Sequence, residues 1–411
     1  MRRMLYDAGF PTTLRAIRAQ ASIVAILAMA LMAWTCAGVT GLHGPETISG
    51  ASGRAPVDGG ELVAAEQSLQ GNAGPGADPL ASCGIARIVA MSTCSGDGTQ
   101  NDGFQTPTAN TTSNNSPPSR YGGSMTYDAR DGYVLLFGGG GVTQGFLRDT
   151  WKYAKGTWTK LREVTSPPAR AYGVMAYDAH DGYVVLFGGQ GRNLSYLGDT
   201  WKFVGGSWSQ LATSPSPSPR DLSEMSYDSA DGYVVLFGGY GTIKKHPALG
   251  DTWKFSAGNW TNITPATSPS PRYWATMTDD QKDGYVVLFG GDTSPGISVK
   301  DTWEFAGDAW TNLNLSHSPS ARMAAAATYD AKDGYVVLFG GATLTKQFND
   351  TWKFFHGRWT NITSTPSPSV RYASGMGFDA KLGYVVLFGG TGNHTVYGDT
   401  WKYLGGVWSL N

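Results

Sequence analysis

From residue 118 onward, apolar and polar positions recur in blocks of about fifty residues. Each block centres on a continuous apolar run, Tyr-Val-Leu-Leu-Phe in the first copy and Tyr-Val-Val-Leu-Phe afterwards, that ends in a double glycine. The doublets start at Gly138, Gly188, Gly238, Gly290, Gly340 and Gly389, with steps of 50, 50, 52, 50 and 49. An Asp-Thr-Trp triplet follows each doublet, with its tryptophan at Trp151, Trp201, Trp253, Trp303, Trp352 and Trp401. A second tryptophan stands seven residues further on, from Trp158 to Trp408. Twelve of the fourteen tryptophans thus occupy two repeated positions, which makes the chain an array of six like units.

Each unit reads as four strands. The first follows a Pro/Ser-rich turn and an arginine (Arg120, Arg170, Arg220, Arg272, Arg322 or Arg371) and runs to an aspartate such as Asp128. Asp-Gly-Tyr then supplies hairpin chemistry, because glycine takes the positive φ of a tight turn without a steric cost. The apolar run is the second strand, and its lack of alternation predicts cover on both faces. Asp-Thr-Trp-Lys-Phe is the third strand, and the fourth is built on Trp-Thr-x-Leu. Four antiparallel strands per fifty residues, repeated radially, make propeller blades that must stack until a ring closes. The expected ring has six blades, each in phase with the chain, with no strand exchanged between the two ends. The departures are few: Leu382 replaces the turn aspartate in unit six, and Thr278 is read as replacing the usual aromatic in unit four.

The run ending in Gly-Gly and the spaced tryptophans resemble the kelch repeat, and all six units over 118–411 carry this signature. The resemblance implies an all-β, six-bladed kelch β-propeller of the galactose oxidase/kelch type, in a family whose members mostly bind rather than catalyse.

The first 117 residues have a different character. Arg2, Arg3, Arg15 and Arg18 precede an uncharged apolar stretch from Ala21 to Val39, near the lower length limit of a membrane helix. Residues 1–40 therefore read as a signal peptide or a single transmembrane anchor with the remainder exported. Residues 41–117, rich in Gly, Ser, Ala, Thr and Asn, read as a flexible spacer. The expected location is extracellular, secreted or held at the cell membrane by residues 21–39. Cys83 and Cys94 are the cysteines beyond the apolar stretch; they form a disulfide or remain two free thiols. Nine Asn-x-Ser/Thr sequons make the chain a glycoprotein candidate.

Composition narrows the function. Charged residues are 15% of the chain and the formal net charge is −1, so nothing points to nucleic acid. The propeller contains no cysteine and its histidines are scattered, which argues against the copper radical chemistry of galactose oxidase; no cofactor or metal is expected. The repeated arginines and tryptophans recur in every unit and read as structural.

Comparison among the units points instead to the loops after the second strand, from Gly140–Arg148 in unit one to Thr391–Gly398 in unit six, where sequence and length vary. Asp221 stands where other units have Tyr, Ala or Met. Glu224 stands where they have Ser, Val, Thr, Ala or Gly. With Tyr240, Lys244 and His246 of the longest loop, and Tyr273 and Trp274 opening unit four, they form the candidate ligand-binding set. Two carboxylates directed at the channel beside an aromatic surface suit a protein or glycan partner. The alternative is a carbohydrate-active enzyme, a hydrolase or isomerase, using Asp221 and Glu224 as acid and base.

Overall fold

The computed structural model describes residues 116–241 and 248–411. The apolar stretch, the spacer, Cys83, Cys94, Lys244 and His246 lie outside the described residues. Among the described residues every regular element is a strand except one 3-10 turn at Arg192–Leu194.

Six antiparallel sheets, five of four strands and one of five, follow one another along the chain. In the first, Ser124–Asp128, Tyr133–Phe137, Thr150–Ala154 and Thr157–Lys160 pair in chain order. Every residue of Tyr133–Phe137 is buried, as an apolar run without alternation requires. The outermost strand alternates, with Trp158 buried between exposed Thr157 and Thr159. The intervening turn is held by Asp128, whose side chain accepts from the Asp131 amide, while the Gly132 amide bonds the Asp128 carbonyl with Gly132 at φ 72°.

Strand register corrects one detail of the sequence reading. Thr278 faces Val287 as Thr126 faces Leu135, so Thr278 is not the replaced aromatic. The residue in the aromatic position is Asp279, which faces Val286 as Tyr127 faces Val134.

The Asp-Thr-Trp triplet does two jobs. Its aspartate grips the arginine that opens the same sheet: Asp149 accepts from Arg120 at 2.8 and 2.9 Å, and from the Trp151 indole at 2.7 Å. Arg120 also donates to the carbonyls of Gly138 and Pro118, so its guanidinium is buried yet amply bonded. All six sheets repeat this clamp. The threonine of the triplet reaches outward: Thr150 Oγ1 accepts from the Trp208 indole of the next sheet, and the same contact links each successive pair.

The first strands of neighbouring sheets lie side by side around an axis, and that of sheet six lies beside that of sheet one. This closing junction matches the others. Trp158 donates to Thr400 at 2.9 Å, and the Arg120 amide bonds the Tyr397 carbonyl as the Arg170 amide bonds that of Leu147. No four-stranded sheet draws strands from both ends of the described chain. Thr400→Val strands the buried Trp158 N–H and is expected to cost about 1–3 kcal/mol, the same as Thr200→Val at an internal junction. Denaturant unfolding of the two variants checks this; a silent Thr400→Val beside a costly Thr200→Val would mean that the ends are not latched.

Candidate functional site

Where each first strand begins, one residue adopts the left-handed conformation: Gly122, Tyr172, Leu222, Trp274, Ala324 and Ala373, with φ between 53° and 59°. The Tyr172 amide donates to the Gly122 carbonyl at 2.7 Å, Leu222 to Tyr172 at 3.3 Å and Trp274 to Leu222 at 2.9 Å. Ala324 donates to Trp274 at 2.8 Å, Ala373 to Ala324 at 3.0 Å and Gly122 to Ala373 at 2.9 Å, so the series closes on itself. Five of the six residues carry a side chain in a conformation that costs about 1–2 kcal/mol each. Such strain persists only where the surroundings over-determine it, and here the closed collar does so. Glycine is required at the sixth position, because a Cβ on Gly122 would lie 2.5 Å from the Tyr172 ring.

The collar sits at the end of the axis that carries the variable loops. Beneath it is a cavity of about 180 Å³, bordered by Tyr172, Leu222, Glu224 and Trp274. A second cavity of about 370 Å³ opens toward the hairpin turns at the other end. Met125, Met175, Met225, Met277 and Met376 border both cavities and form the waist between them.

The candidate residues divide between two levels. Glu224 borders the axial cavity, and burial pushes its carboxyl well above the usual range against the opposing Met277 amide. Asp221 lies outside that cavity wall, paired through its backbone with Tyr240. It is buried with Oδ1 unpartnered, and burial pushes its carboxyl up to about 8. Burial chiefly raises the Tyr196 and Tyr240 hydroxyls, and the Asp221 charge adds to it. Tyr273 and Trp274 are also buried, so they wall the mouth rather than offer a free stacking face. The rings form a continuous chain: Tyr196 to Tyr240 at 6.1 Å, Tyr240 to Tyr273 at 5.1 Å, Tyr273 to Trp274 at 6.1 Å and Trp274 to Tyr172 at 5.9 Å.

Sequence reasoning missed Asp292. It exchanges backbone bonds of 2.9 and 3.0 Å with Tyr273, is fully buried, and has Oδ2 unpartnered beside the unpartnered Tyr273 hydroxyl. Burial raises its carboxyl, with the Ser298 hydroxyl and Gly296 amide opposing. The signal was present, since Asp292 follows its glycine doublet where the other units have Gly, Gln, Tyr, Ala or Thr. Asp221, Glu224 and Asp292 therefore gather at one sector of the variable end, and none is in an ion pair among the described residues.

The KLHDC2/KLHL20/DRC7 Kelch-repeats domain matches residues 104–291 and 228–405, well over half of the chain. The chain belongs to this kelch-repeat family. No curated protein matches it. Within the kelch β-propeller, repeated residues hold the architecture, whereas Asp221, Glu224 and Asp292 break the repeat at the variable end. The kelch domain supports a protein-binding propeller.

Proposed function

We propose that this kelch domain is a six-bladed propeller that binds a protein partner, or the glycan on one, through the rim of variable loops, and that it works outside the cell. Support for the exterior setting is the arginine-flanked apolar stretch at residues 21–39 followed by a spacer at 41–117. The observation that carries the binding reading is the character of the rim. Val142, Leu194 and Ile297, on three different variable loops, are 49%, 40% and 57% exposed. Apolar side chains exposed on one rim offer a protein partner apolar area to bury, with the polar residues about them completing the contact.

The enzymatic alternative draws no support from the geometry. Glu224 borders the axial cavity and Asp221 does not, so they do not face one substrate as acid and base.

The test is a triple variant, Val142→Asp/Leu194→Asp/Ile297→Asp, compared with the parent for binding to cell-surface proteins and to a glycan panel. The expected result is at least a tenfold loss of binding with an unchanged melting temperature. Full binding by the folded variant would reject the rim.

A further inference from the structure

We propose that the axial cavity beneath the collar is a binding site for a primary alkylammonium group, with Glu224 as its counter-ion and Tyr172 and Trp274 as its aromatic wall. The site lies on the propeller axis, and the inference does not depend on what the rim binds.

Charge supplies the first argument. Among the described residues Glu224 is the one carboxyl on the cavity wall, and no lysine, arginine or histidine of those residues shares that wall. Burial dominates its titration, with the Met277 amide opposing. The other titratable group bordering the cavity is Tyr172, which burial keeps in its neutral phenol form. Burial raises the Glu224 carboxyl, and an incoming ammonium favours its ionised form.

Three hydroxyls of the wall and the collar amides are already committed. Ser124 donates its hydroxyl proton to the Gly173 carbonyl at 2.6 Å, Thr276 to Ala325 at 2.6 Å, and Ser374 to Gly389 at 3.1 Å. The collar amides are spent on one another. An anion would meet the Glu224 carboxylate, whereas an ammonium brings its own N–H groups to it.

The apolar wall suits the rest of such a ligand. Tyr172 and Trp274, which meet edge to face at 76°, give the cavity an apolar aromatic border against which methylenes can pack. The methionine waist offers soft, adaptable thioethers to a short alkyl chain. A volume of about 180 Å³ corresponds to roughly six water molecules at ~30 Å³ each. That space accepts an ammonium head and a few methylenes. Two sources present this group: a free small amine and the side chain of a lysine on a bound protein.

The experiment is calorimetric titration of the full chain with n-butylammonium chloride, sodium butyrate and Nα-acetyl-lysine N-methylamide, in buffers of different ionisation enthalpy. Butylammonium is expected to bind with release of a proton, and with affinity that rises with pH across the titration of Glu224. Butyrate is expected to give no binding heat. Glu224→Gln, which keeps the shape, is expected to lower butylammonium affinity by about 10–100-fold and abolish the proton release. Binding of the lysine derivative as well as butylammonium identifies a peptide source, and binding of butylammonium alone a free amine. Failure of butylammonium to bind, or binding without proton release, overturns the proposal. The proton count uses the unmodified chain and so stands even if the variant fails to fold.

Discussion

Asp399→Ala is expected to destabilise the propeller by about 3–5 kcal/mol, although it deletes only one surface-proximal carboxylate. Asp399 receives two bonds from Arg371, at 2.7 and 2.9 Å, and a third from the Trp401 indole at 2.7 Å. Arg371 is 1% exposed and cannot turn to water. The cost comes from leaving that guanidinium short of its counter-charge, because truncating one partner of a buried pair forfeits the attraction and keeps the desolvation. Urea unfolding measures it, and Arg371→Met/Asp399→Leu, which removes both charges, should recover much of the loss. A single variant within about 0.5 kcal/mol of the parent would show that the clamps are decorative.

The second large effect has the opposite sign. Asp221→Asn is expected to stabilise the fold at neutral pH by about 2–4 kcal/mol, raising the melting temperature by roughly 5–10 °C. In the folded state burial holds Asp221 at about 8, against ~3.9 in an unfolded chain. Between those values the native state keeps a proton that the unfolded state has lost, so stability falls as pH rises from about 4 to about 8. Asp279, pushed up to about 7, and Asp280, up to about 6, act in the same direction, chiefly through burial.

The six clamp aspartates behave conversely. Burial would raise them, but the paired arginine and tryptophan bonds outweigh it and hold them low. Their contribution is present above the unfolded carboxylate range and lost below it. Together these sets place maximal stability in mild acid, near pH 4–5. The gain from Asp221→Asn should shrink toward zero at pH 4. A gain independent of pH would mean that Asp221 is ionised in the folded protein.

The architecture was legible in the sequence because it is written six times. Trp151 and its five counterparts, the glycine doublets and the unalternating second strands follow from local rules that each unit repeats. The site was only partly legible. Asp221 and Glu224 stood out as exceptions to the repeat, yet sequence cannot show that three residues of separation put one in the axial cavity and the other beneath tyrosines. That division arises at Leu222, whose left-handed backbone turns the chain between them. Asp292 was equally exceptional and was passed over as loop. The Asp279 substitution was read one residue early, since Thr278 and Asp279 both differ from a Tyr and only the pairing with Val286 decides between them.

The collar has a bearing on how such an array grows. Its six amides all donate in the same rotational sense, and every carbonyl in the circuit is already taken. A circuit of this kind has no first member and no vacancy at which another can be appended. Gaining a fifty-residue unit by duplication, or losing one by deletion, would require all the left-handed joints to be re-angled together. Repeat number is thereby quantised at the axis, and drift is confined to the loops that the circuit leaves alone.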